Sequence, residues 1–170
     1  INLAIIERQL GNYQTAKKLS EASIQVLLQT YGSDHLKVAI AHSNLAIAEY
    51  QLGNYSPAKE LFQLALQTEL NAYGNDHAQV ARTRGNLANL EQQLGNFQIA
   101  EELYEQALTL ERSHYGNDHV LVAATRGNLA SLQQHLGNYP AAKKLLEQTL
   151  QVLLKTYDND HIQVATARSN

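Results

Sequence analysis

The chain repeats itself every 42 residues, and this period constrains the fold more than any local motif does. Units 1–42, 43–84, 85–126 and 127–168 align without an insertion, and Ser169 and Asn170 open a fifth. Thirteen of the 42 columns hold one residue type in all four units. Asn2, Asn44, Asn86 and Asn128 form one such column, each followed by Leu-Ala. Gly11, Gly53, Gly95 and Gly137 form another, each inside Leu-Gly-Asn. Tyr31, Tyr73, Tyr115 and Tyr157 form a third, each followed three and four residues later by Asp-His. A period in this range marks stacked units that bury their apolar faces only against neighbours.

Each unit carries two helical patterns. In the second unit Ala58, Leu61, Phe62, Ala65, Leu66 and Tyr73 make one apolar stripe of helical period. Pro57 and Pro140 mark the start of this helix, because a first turn has no use for the N–H that proline lacks. The other helix crosses the unit boundary, with Val80, Leu87, Leu90 and Leu94 in its stripe and Ala81 and Ala88 alongside. Breaks are expected at Gly53-Asn54, Gly74-Asn75 and their equivalents, since glycine accepts the left-handed conformation that ends a helix. Asp34, Asp76, Asp118 and Asp160 are the expected N-caps of the next helix, with Gln79 and Gln163 placed to complete capping boxes. Leu45, Leu61, Leu66, Leu87, Leu103 and Leu108 are expected in the core. The predicted fold is an all-α solenoid of four antiparallel helix pairs in a single domain over 1–170.

Composition narrows the function. With 44% apolar and 17% charged residues the chain can build a core. Thirteen Lys and Arg against 16 Asp and Glu give a net charge of −3, which argues against nucleic acid as a partner. The absence of cysteine excludes disulfides, thiolate metal sites and a thiol nucleophile. No stretch approaches the roughly 20 apolar residues that cross a bilayer, so no membrane role is expected. The chain opens at Ile1 without a Met and closes inside a repeat, so it is expected to be an excerpt of a longer protein. The expected compartment is the cytoplasm.

Asn-Leu-Ala, then Leu-Gly-Asn-Tyr, then Ala-x-x-Leu resembles the tetratricopeptide repeat. The 42-residue unit closing in Tyr-Gly-Asn-Asp-His-x-x-Val-Ala is similar to the kinesin-light-chain type, which also occurs in bacterial proteins. The resemblance covers the whole chain and implies helix pairs stacked into a right-handed superhelix. The sequence departs from that pattern at Leu36, Ala78, Val120 and Ile162, where a proline is usual. It departs again at Ser43, Gly85 and Gly127, and at Glu7, Glu49, Glu91 and Gln133, a column often filled by a large aromatic.

The resemblance further implies that the first helix of each unit lines a concave groove. Its columns here are Arg82, Ala124 and Thr166; Ser43, Gly85 and Gly127; Asn44, Asn86 and Asn128; Ile5, Ile47, Asn89 and Ser131; and Arg8, Tyr50, Gln92 and Gln134. These columns are mostly polar or small, and most vary between units, while the core columns stay Leu, Ala and Val, as a reading surface on a fixed scaffold requires. The Asn column offers a donor and an acceptor per unit, suited to a peptide backbone of any sequence or to the neighbouring helix. Gly85 and Gly127 sit inside a helix at a cost of about 1 kcal/mol, which suggests a close approach by a ligand or by an adjacent helix. His42, Arg84, Arg126 and Arg168 form a basic column with Arg82 nearby. It suits acidic ligand groups, or ion pairs with Glu49 and Glu91.

The Asp-His pairs do not make a metal site, because zinc needs three or four convergent ligands and each unit supplies at most two. No catalytic constellation and no cofactor motif stands in the sequence. The expected function is a non-catalytic scaffold that holds a peptide or partner segment, with an acidic ligand preferred. The expected contacts are Asn44, Asn86, Asn128, Arg82, Arg84, Arg126, Tyr50 and Asn89. The alternative is a structural or regulatory arm that self-associates through its repeat ends or docks on another domain of its own chain.

Overall fold

Among the described residues helices run where the 3.6-residue stripe does, and all but the last stop within two residues of a glycine. A computed structural model describes residues 2–157 together with Val164 and Thr166. Among the described residues the regular elements are α1 (Asn2–Gln9), α2 (Tyr13–Tyr31), α3 (Leu36–Gln51), α4 (Tyr55–Tyr73), α5 (Ala78–Gln93), α6 (Phe97–Tyr115), α7 (Val120–His135) and α8 (Tyr139–Thr156). The chain divides into two compact units, Ile1–Leu90 and Glu91–Asn170. In the first, α2 packs on α1 and α3, and α3 packs on α4. Its core includes Ile24, Ala41 and Leu45, with Leu27, Leu28 and Leu61 against them. In the second, α7 packs on α6 and α8, around Tyr104, Val122, Leu132 and Val152.

The turn after each first helix follows from its Leu-Gly-Asn. Gly53 adopts φ +79°. Its N–H reaches the Tyr50 carbonyl at 3.0 Å while the Asn54 N–H reaches Glu49 at 2.9 Å, so the orphan carbonyls at the helix end are satisfied. The Asn54 side chain also donates to the Glu49 carboxylate at 2.7 Å. Asn12 does the same to Glu7, Asn96 to Glu91, and Asn138 to the Gln133 carbonyl oxygen. The column of Glu7, Glu49, Glu91 and Gln133 is therefore a polar clip. Glu49 is buried and also pairs with Lys17 at 2.7 Å.

Two expectations change. The helix N-cap is the histidine, not the aspartate before it. His35 and His119 hold the cap position, and their Nδ1 atoms accept from the N–H groups of Lys37 and Leu121. His77 Nδ1 accepts from Gln79 N–H at 3.1 Å in the same way. Each ring lies flat against the preceding tyrosine: Tyr31 on His35, Tyr73 on His77 and Tyr115 on His119. That stack orients Nδ1 toward the helix, which leaves the aspartates one residue too early to cap. Gln79 completes no capping box, since its amide donates to Glu69; Asp160 and Gln163 lie outside the described residues. The second change is in the core. Leu45, Leu87 and Leu108 are buried, but Leu61, Leu66 and Leu103 are half-buried. Phe62 and Tyr104, one position on, point inward and fill the space instead. Tyr73 and Leu94, at the far ends of their stripes, are exposed.

Candidate peptide-binding groove

A helix turns about 100° per residue, so residues four and seven apart share a face and residues two apart oppose each other. On α5 this puts Arg82, Asn86 and Asn89 on one face. On α3 the corresponding face carries Asn44, Ile47 and Gln51, with Tyr50 beside them. The two faces meet at a cleft of about 120 Å³ lined by Ile47, Tyr50, Gln51, Phe62, Asn86 and Asn89. Phe62 forms an apolar floor and is buried. Gln51, Asn86 and Asn89 add amides that can pair with a peptide backbone. Tyr50 stands 5.7 Å from Tyr55, ring to ring. Burial, and secondarily Tyr55, pushes the Tyr50 phenol above its ordinary pKa, so it stays a neutral hydrogen-bonding group.

The cleft brings together Tyr50, Asn86 and Asn89 of the expected contacts. Arg82 is exposed on the same face of α5. Asn44 is half-buried on α3, and its buried Nδ2 has no hydrogen-bond partner. Asn128 is exposed on α7 in the second unit. Among the described residues, Asn86 and Asn128 make no hydrogen bond to a neighbouring helix.

Arg84 and Arg126 are placed elsewhere. Each lies two residues before its Asn, on the opposite side of the helix. Arg84 donates to the Asn75 side chain at 3.0 Å. Arg126 is 4% exposed, with a long contact of 3.5 Å to the Asn117 carbonyl and a buried Nε that has no partner. Burial draws both guanidinium groups below their ordinary pKa, Arg112 adding to the effect at Arg126, while Asp76 and Asp118 oppose it. Both arginines thus turn to the Asn-Asp corner of their own repeat. His42, in the same column, is pulled below its ordinary pKa by burial and adds little positive charge at neutral pH. Glu49 takes Lys17 as its cation. Arg168 lies outside the described residues.

Two groups of residues escaped the sequence reading. Gln51 and Phe62 line the cleft, and only the i+4 relation of Gln51 to Ile47 hinted at it. Glu69 and Glu111 are buried carboxyl groups in a column that reads Leu27, Glu69, Glu111, Leu153; Glu standing in a column that is otherwise Leu was the available signal.

Among the described residues no three His, Asp or Glu side chains are placed to hold a metal ion. No described helix is long and apolar enough to cross a membrane. The family model for the tetratricopeptide repeat matches residues 1–68, 60–113, 79–155 and 121–170. Comparison with curated proteins gives no match. Among solved structures, BtubC (BKLC) from P. vanneervenii superposes with a TM-score of 0.83 at 22% identity, over 97% of this chain and 66% of that one. The chain therefore spans just under two thirds of that relative. A putative kinesin light chain of Podosopora anserina with nearly identical TPR-like repeats gives 0.81 at 26% identity, over 98% of this chain and 79% of that one. The fold is an all-α repeat solenoid, and the chain belongs to the tetratricopeptide-repeat family.

Proposed function

We propose that the chain is a non-catalytic scaffold that holds an extended peptide or partner segment against the first-helix face. Tetratricopeptide repeats generally mediate protein–protein interaction, and the family is generally non-catalytic. The observation that carries the reading is the cleft beside Asn86: an apolar floor with amides at its edge. In this reading Asn44, Asn86 and Asn128 pair with ligand backbone, and Tyr50 and Asn89 flank a seated side chain. Arg82 meets an acidic ligand group. Arg84 and Arg126, turned to the corners, add positive potential rather than direct contacts. The setting proposed is the cytoplasm, with no cofactor.

Asn86→Ala tests it. A bond made only in the complex is worth roughly 1–2 kcal/mol, so affinity for a peptide selected from an unbiased library should fall about 5- to 30-fold. The unfolding midpoint without ligand should hardly move, because among the described residues Asn86 has no hydrogen-bond partner to lose. Unchanged affinity together with a lowered midpoint would remove the amide ladder from the mechanism. Indifference of binding to salt and to ligand charge would remove the acidic preference.

A further inference from the structure

Glu69 and Glu111 occupy one column of the repeat, on second helices α4 and α6, where the first and last units carry Leu27 and Leu153. Glu69 is fully buried and Glu111 is 7% exposed. An ionised carboxylate in such a place needs all its lone pairs satisfied or a cation against it. Glu69 has part of this. Its Oε1 accepts from the Gln79 amide at 2.8 Å, and Thr83, Arg82 and His77 from the α5 side also favour its charge. Its Oε2 has no partner. Glu111 has less. The Thr125 hydroxyl of α7 is the neighbour that favours its charge, and its Oε2 is also without a partner. Where Glu69 faces Gln79 and Arg82, the columns around Glu111 supply Leu121 and Ala124.

We propose that the α4–α5 and α6–α7 joints are proton-sensitive, each closing around a buried carboxyl group that it accommodates best in the neutral form. In each case burial outweighs the favourable neighbours and pushes the carboxyl above its ordinary range. A carboxyl raised on folding contributes stability that is fully present below the unfolded value and is lost as pH rises through the folded one. Both joints therefore tighten on acidification and are weakest at neutral pH and above, and the effect is larger at α6–α7. In a repeat array, stability is close to a sum of unit and nearest-neighbour terms, so a proton bound at one joint acts mainly on the two helices that meet there.

The test compares urea-unfolding midpoints of the full chain with those of Glu69→Gln and Glu111→Gln at about pH 7.5 and about pH 5. The comparison is between curves, because the rest of the sequence is common to all three proteins. The variants should be more stable than the parent at the higher pH, Glu111→Gln the more so, and the advantage should shrink at the lower pH. Parallel curves, or variants less stable than the parent at the higher pH, would overturn the proposal. If a glutamine variant fails to fold, Glu111→Leu restores the residue of Leu27 and Leu153 and answers the same question. A carboxyl-carbon NMR titration of the parent chain reads the group directly: both resonances should titrate above the ordinary glutamate range, and ordinary midpoints would also overturn it.

Discussion

His119 shows how much one side chain of this repeat does. Its ring stacks on Tyr115 with centroids 4.6 Å apart, and its Nδ1 accepts the Leu121 N–H at the start of α7. Losing that acceptor leaves an orphan donor in the first turn. His119→Ala should cost about 1 kcal/mol, while His119→Asn, which offers an amide oxygen at the cap, should retain most of the stability; thermal unfolding of the two variants distinguishes them. Gly85 is the opposite case, a residue whose missing side chain nothing in the fold requires. Among the described residues, and apart from its chain neighbours and its own helix backbone, no heavy atom lies within 4 Å of where its Cβ would stand, and on the same terms the nearest atom to that of Gly127 is Thr149 Cγ2 at 3.9 Å. The adjacent helix therefore does not explain the glycine. Gly85→Ala should raise stability by about 0.5–1 kcal/mol through helix propensity alone. If ligand affinity drops in the same variant, the vacant space is where a ligand backbone passes.

At the level of elements, the helices and their breaks were legible because the stripe and Leu-Gly-Asn each rest on one local rule. What crosses a break was not. The Asn54–Glu49 bond spans five residues through a left-handed glycine, where helical periodicity has already ended and gives no guide to side-chain direction. Asn54→Ala should lower the unfolding midpoint by the equivalent of about 1–2 kcal/mol, since the buried Glu49 carboxylate keeps Lys17 but loses a charge-assisted donor. Amide exchange should quicken first at the α3–α4 turn. The groove was legible in the same partial way. The family resemblance implied the columns of Asn86 and Asn89, and both residues line the cleft. Arg84 looked like a groove residue because it adjoins Asn86 in sequence, and its placement follows only from the 100° step and the Asn75 acceptor. Leu61 and Leu103 read as core in the sequence because an amphipathic stripe is wider than the contact it makes, and the aromatic beside each decides which residue is fully enclosed.

Over the whole molecule, most contacts between the described helices run between consecutive ones, which is the condition for stability that builds up locally rather than all at once. Leu132 and Leu103 probe this from two sides. Leu132 is fully buried on α7, whereas Leu103 is half-buried on α6. Leu132→Ala should cost about 2–5 kcal/mol, the range for a large-to-small change in a site that cannot collapse, and Leu103→Ala should fall below it. The more telling measurement is where the loss appears. With nearest-neighbour coupling, Leu132→Ala should accelerate amide exchange in α6, α7 and α8, while α2, α3 and α4 keep most of their protection. Unfolding followed at the two sets of helices should then give separate transitions, because a repeat array weakened at one joint no longer behaves as two states. If α2–α4 lose protection to the same degree as α6–α8, the repeats unfold as one cooperative block. The joint-by-joint account of the buried glutamates would then have to be replaced by one in which each proton acts on the entire chain.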